Sequence, residues 1–165
     1  MGVCAIRIDE RLIHGQVATL WQGSWNCNRI MVIDTKSAND PMLKSVLKIA
    51  CPTGVRLSVL DPDTAAANLQ SGKYGKERIT IVTKTPANLL RLIEQGYQLE
   101  SDITVGNMSG GSGKKKICKH ISVTPEDIEA FRKLDSMQCR LYQQTVPSET
   151  PAPFMNLLEE ALAQG

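Results

Sequence analysis

The stretch VCAIRIDERLIHGQVATLWQ, residues 3–22, changes character twice. VCAIRI at 3–8 is short and rich in Val, Ile and Ala, the composition of a strand. GQVATLWQGSW, from residue 15, has a helical pattern, and the charged loop around DERLIH joins the two. The same alternation recurs down the chain. RIMVID at 29–34, VRLSVL at 55–60, RITIVT at 78–83 and DITV at 102–105 read as strands. DPMLKSVLKIAC from 40, DPDTAAANLQSG from 61 and PANLLRLIEQG from 86 read as helices between them. Strands that are apolar on both faces and joined by crossovers of this length imply an α/β fold: a mostly parallel, open twisted sheet covered by helices on both sides, in three layers.

Helix punctuation agrees with this reading. Asp40-Pro41, Thr85-Pro86 and Thr124-Pro125 each put a capping oxygen before a first-turn proline, and Gly72 and Gly96 stand where left-handed C-terminal caps belong. Beyond residue 106 the Gly, Ser and Lys stretch NMSGGSGKKK leads to a short strand ICKHISV, a helix PEDIEAFRKL, a strand QCRLYQQ and a last helix near 153–163. No repeat and no long linker interrupts the 165 residues, about the size of one globular domain, so residues 1–165 are expected to fold as a single domain.

Composition narrows the function classes. Nineteen Lys plus Arg against 17 Asp plus Glu leave a formal charge of only +2, too balanced to argue for a nucleic-acid or membrane surface. Aromatics are 4% of the chain, too few for a base-stacking platform. Arg7 interrupts the N-terminal apolar run, so the start reads neither as a signal peptide nor as a membrane span, and the protein is expected in the cytoplasm. Five cysteines without a CxxC pair read as reduced, mostly buried residues. Only two histidines, His14 and His120, are present and far apart; neither a metal site nor a cofactor is expected.

In open parallel sheets, ligands bind beyond the carboxyl ends of the strands. The loop after the first strand carries Asp9, Glu10 and Arg11 before His14 and Gly15 open a helix, whose free N–H groups favour an anion. A neutral imidazole nitrogen is a good nucleophile near neutral pH, whereas a serine would need a base that the chain does not offer. His14 is therefore the candidate nucleophile for a phosphoryl group, and Arg11 the cation whose fork matches its oxygens. Asp9 can either orient Arg11 or hold the histidine tautomer, and Gly15 lets the backbone approach the phosphate. The bland alternative is a solvated loop histidine beside a surface ion pair.

Other candidates are weaker. GGSGKKK at 110–116 lacks both the first glycine and the hydroxyl of a Walker loop. Lys114, Lys115 and Lys116 read as a solvated turn, or else as a docking patch for an acidic partner. His120 falls on an apparent strand, where an exposed or satisfied histidine is the default, and Trp21 and Trp25 read as core.

RIDERLIHGQV at 7–17 closely resembles the active-site loop of the IIB subunits of the mannose/fructose/sorbose class of the bacterial phosphoenolpyruvate-dependent sugar phosphotransferase system. NDP at 39–41, KTP at 84–86, VGN at 105–107, ISVTPEDIEAFRKL at 121–134 and QQTVPSE at 143–149 extend the likeness over nearly the whole chain. The resemblance implies a sheet of about seven strands and a phosphocarrier. His14 would accept phosphoryl from a phosphohistidine on a IIA subunit and pass it to a sugar bound by the membrane IIC and IID subunits. It implies Arg11 as the stabilising cation, with Asp9, Gly15 and Gln16 in the phosphate loop and Lys84, Asn107 and Ser109 on neighbouring loops. No metal, cofactor or nucleic acid is implied. RIDERLIHGQV begins at residue 7, which leads to the expectation of IIA on a separate chain, and a homodimer is compatible. The VGNM spelling at 105–108 is similar to members serving N-acetylgalactosamine or related hexosamines, with mannose, fructose and sorbose left open. The contrasting reading is a non-catalytic regulatory or anion-binding module on the same fold.

Overall fold

The computed structural model describes Gly2–Gly165, the side chains of Gln16 and Val17 excepted. Gln16, expected in the phosphate loop, thus has its side chain outside the described residues. The chain opens with β1 (Gly2–Asp9) and α1 (Gly15–Trp25), followed by β2 (Arg29–Ile33), α2 (Thr35–Ala38), α3 (Pro41–Ala50) and β3 (Arg56–Leu60). Next come α4 (Pro62–Gln70), β4 (Arg78–Thr83), α5 (Pro86–Glu94) and β5 (Ile103–Asn107). The remainder is β6 (Lys115–Cys118), β7 (Ile121–Val123), α6 (Pro125–Ser136), β8 (Leu141–Gln143), β9 (Ala152–Pro153) and α7 (Phe154–Ala163).

Seven strands form one sheet in the order β3-β2-β4-β1-β5-β8-β9, parallel throughout except that β9 runs against β8. Successive strand residues face opposite sides of the sheet, and both sides are buried. Ile30 and Val32 of β2 face one side, and Met31 and Ile33 the other; all four are inaccessible to solvent. On the first side they meet Ala18, Trp21 and Trp25 of α1 and Leu47 of α3. On the second they meet Ala65 and Ala66 of α4, Leu89 and Leu92 of α5, Phe131 of α6, and Phe154 and Leu158 of α7. Phe131 and Phe154 lie 4.6 Å apart, tilted, and each buries enough apolar surface to contribute about 1.5–3 kcal/mol.

This division places the loops. The chain leaves β1 for the α1 side of the sheet, whereas the helices after β4 and β5 lie on the opposite side. Because β1 stands between β4 and β5, its carboxyl end is a topological switch point, where the connections diverge and leave a crevice.

Both core tryptophans, the parallel pattern and the left-handed Gly72 and Gly96 match expectation. Four details differ. ICKHISV is not one strand: β6 and β7 fold back on each other around Lys119-His120, so His120 is an exposed turn residue. Two residues suffice to reverse a strand, and the Ile and Val on both sides hide that turn in the sequence. Lys115 and Lys116 consequently sit on β6 rather than in a turn. Thr85 precedes α5 without a side-chain cap bond, whereas Asp40 caps α3 through Met42 and Leu43 N–H, and Thr124 forms a reciprocal capping box with Asp127. The single-turn α2, capped by Asp34, and the two-residue β9 are too short to leave a periodic signal. Among the described residues, no helix is long and apolar enough to cross a membrane.

Candidate functional site

Alternation along β1 buries Ile6 and Ile8 on one face and therefore turns Arg7 and Asp9 to the other, where both are 1% exposed. Buried charges demand partners. Arg7 Nε lies 3.3 Å from Asp9 Oδ2, and its two terminal nitrogens donate to the Gln144 and Thr145 carbonyls at 2.9 Å each. The guanidinium also stands 4.6 Å from the ring centre of Trp21, whose Nε1 donates to the same Thr145 carbonyl at 3.3 Å. Gly106 on β5 supplies the space, since a Cβ there would overlap the Arg7 guanidinium. Burial pulls Arg7 down from its ordinary value, with Asp9 opposing, but a guanidinium stays charged.

Asp9 then shapes the loop that follows. Its Oδ1 accepts from Arg11 N at 3.0 Å and its carbonyl from Leu12 N at 2.9 Å, closing a tight turn of the kind aspartate initiates. Leu12 adopts φ +59°, a left-handed conformation that costs a branched residue about 1–2 kcal/mol. Burial of Leu12 and Ile13 in the α1-side core offsets that cost and anchors the loop. Arg11, about one third exposed, is gripped in a fork: Nε to Asp9 Oδ1 at 3.0 Å and Nη2 to Oδ2 at 2.8 Å. These bonds raise its proton affinity further, and its Nη1 makes no hydrogen bond to a described residue.

His14 is exposed and occupies the N-cap position of α1, extended at φ −122° and ψ 126°. Its carbonyl accepts from Ala18 N at 2.8 Å, but its side chain makes no capping bond and no acidic residue occupies the first turn. Gly15 is exposed as well, and a Cβ there would meet nothing within 4 Å, so an incoming group has open access to the backbone.

A rim of polar groups borders this loop. Glu10 N donates to Asn107 O at 2.9 Å, and the Glu10 carboxylate accepts from Ser109 N at 2.5 Å. Lys114 Nζ donates to Ser109 O at 2.9 Å and lies 3.8 Å from Glu10. Burial tends to raise the Glu10 carboxyl, but the Ser109 bonds, Lys114 and Lys84 outweigh it and hold the carboxyl below its usual range. Lys84 itself stands 3.9 Å from Asp34. The Asn107 Oδ1 atom is buried without a hydrogen-bond partner among the described residues.

Of the residues singled out in the sequence, Asp9, Arg11, His14 and Gly15 share one loop, and Asn107, Ser109 and Lys114 lie on its flank. Asp9 binds Arg11, the first of the two roles left open for it. Lys114 folds back on the loop, so the three lysines are not one free patch. Sequence reading placed Glu10 in the loop and quoted residues 143–149 but gave them no role at the site, and it missed Arg7. The available signal was a charged residue at a strand position whose neighbours Ile6 and Ile8 are core.

An open parallel sheet whose switch point presents a histidine, a held guanidinium and a helix N-terminus defines an α/β protein with a site suited to an anion. The chain matches the family described as PTS system sorbose subfamily IIB component over residues 3–164, and it belongs to that family. It is 33% identical to the PTS system sorbose-specific EIIB component of Klebsiella pneumoniae over 97% of this chain and 95% of that protein. With the N-acetylgalactosamine-specific phosphotransferase enzyme IIB component 2 of Escherichia coli it shares 34% over 92% and 96%. The crystal structure of the IIBSor domain of the Klebsiella pneumoniae sorbose permease superposes with a TM-score of 0.92 at 32% identity, covering 97% and 98% of the two chains.

Proposed function

We propose that this chain is a phosphocarrier in which His14 takes a phosphoryl group from a phosphohistidine on a IIA partner and passes it to a sugar. A neutral ring nitrogen of His14 attacks phosphorus as the donor's N–P bond breaks. In the second transfer the His14 N–P bond breaks as a sugar hydroxyl, losing its proton, forms the O–P bond. Between two nitrogens the step needs positioning and an offset for three equatorial oxygens. Arg11 supplies a guanidinium with its plane fixed by Asp9, and the first amides of α1 supply dipoles. Gly15 keeps the approach open, and Gln16 completes the phosphate loop. The observation that carries the reading is an exposed His14 at the start of α1, three residues after an arginine held in a fork.

The whole of residues 1–165 acts as one such unit in the cytoplasm, docking to membrane IIC and IID subunits that hold the sugar. The VGNM spelling favours N-acetylgalactosamine or a related hexosamine, and the printed specificities of the relatives, sorbose and N-acetylgalactosamine, keep sorbose beside it. Radiolabelled phosphoenolpyruvate with the general carrier proteins and a IIA subunit tests the role. The chain should acquire one acid-labile, base-stable phosphate, lost in His14→Ala and kept in His120→Ala. Undiminished labelling of His14→Ala overturns the assignment. Adding the membrane subunits with a panel of sugars then reads the specificity.

A further inference from the structure

We infer that Arg7 is a positioning residue for phosphoryl transfer: by sharing Asp9 with Arg11 it keeps the loop cationic and holds the Arg11 fork in plane. This rests on the reading that His14 carries the phosphoryl group.

Two guanidinium groups surround one carboxylate. Were Asp9 to answer to Arg11 alone, the pair would be neutral, and its field a few ångströms away would be that of a dipole. With Arg7 on Oδ2 the three groups keep one net positive charge, carried toward solvent by Arg11, about a third exposed, and not by Arg7, which is 1% exposed; the Glu149 carboxylate also acts on Arg7, but more weakly than Asp9. The Gln144 and Thr145 carbonyls solvate Arg7 with dipoles and leave its charge intact. The arrangement is also rigid. Arg7 is clamped by those carbonyls, by Asp9 and by the face of Trp21, over a glycine that leaves it room. Its grip fixes the Asp9 carboxylate plane, and that plane fixes Arg11. The 144–149 loop is braced in turn by Thr145 N donating to Glu149 at 2.7 Å and by Gln144 Nε2 donating to the Glu149 carbonyl at 2.8 Å. Arg7 thus links this loop to the site, although it reaches neither surface nor substrate.

Arg7→Met and Arg7→Lys, compared with the unsubstituted chain, test the proposal by labelling kinetics, urea unfolding and 31P NMR titration of the phosphorylated chain. Met should lower the maximal transfer rate about 10- to 100-fold while the half-saturating IIA concentration stays within about twofold. The phosphoryl titration should move to higher pH in Met, because a cation is lost, and return toward the native position in Lys, which restores it. A folded Met variant with native rate and native titration overturns the proposal and makes Arg7 a packing residue only. If Met does not fold, Lys decides: a reduced rate with native titration supports the role, and a native rate overturns it. Failure of the unsubstituted chain to label would instead strike the phosphocarrier reading itself.

Discussion

Gly106 owes its missing side chain to Arg7, whose guanidinium occupies the space where a Cβ would stand. The guanidinium cannot swing aside, because Asp9 and two carbonyls hold it. Gly106→Ala should therefore destabilise the fold by about 1–3 kcal/mol, the usual cost of overpacking. Urea unfolding reads the change, and a midpoint equal to the native one would show that Arg7 is free to move.

Asp9→Asn removes the carboxylate held between the Arg7 and Arg11 guanidinium groups while keeping the shape. A buried cation without its counter-ion typically costs about 3–5 kcal/mol, so a loss of that size is expected in chemical denaturation. A loss below about 1 kcal/mol would mean that the carbonyls of Gln144 and Thr145 alone satisfy Arg7.

Acid should weaken the opposite end of the sheet through Glu77, which accepts from Arg29 at 2.6 and 3.1 Å and from Arg56 at 2.5 Å. The Arg29 bonds, chiefly, hold its carboxyl below the ordinary glutamate value. A depressed folded pKa gives stability that is complete above the unfolded value of about 4.3 and is lost as pH falls through the folded one. Between pH 6 and pH 3 the unsubstituted chain should lose more stability than Glu77→Gln. Equal losses would remove Glu77 from the acid response.

Thr124 and Asp127 exchange bonds of 3.0 Å at the start of α6. Thr124→Ala breaks this box and should cost about 1 kcal/mol in a thermal or urea melt, whereas Thr85→Ala, at an N-cap whose side chain makes no cap bond, should cost less. A reversed order would contradict the capping geometry.

The sequence disclosed what has a period or a rigid local rule. Strand and helix alternation, proline-marked helix starts and the glycines after α4 and α5 were all visible, because each depends on neighbours within a turn or two. The loop from Asp9 to Gly15 was visible as a charged interruption with a lone histidine. Arg7 was not, since its partners Gln144 and Thr145 lie 137 and 138 residues away and no local pattern announces them. The β6–β7 hairpin was hidden for a related reason: Ile121 is core, Ile117 packs against it, and the two look continuous across a two-residue turn.

The two margins of the sheet are unlike. On one side β3 offers a five-residue unpaired edge, while on the other β9 ends the ladder after two residues, one of them a proline with no hydrogen to donate. Edge-to-edge growth of this sheet is therefore open along β3 and nearly closed along β9.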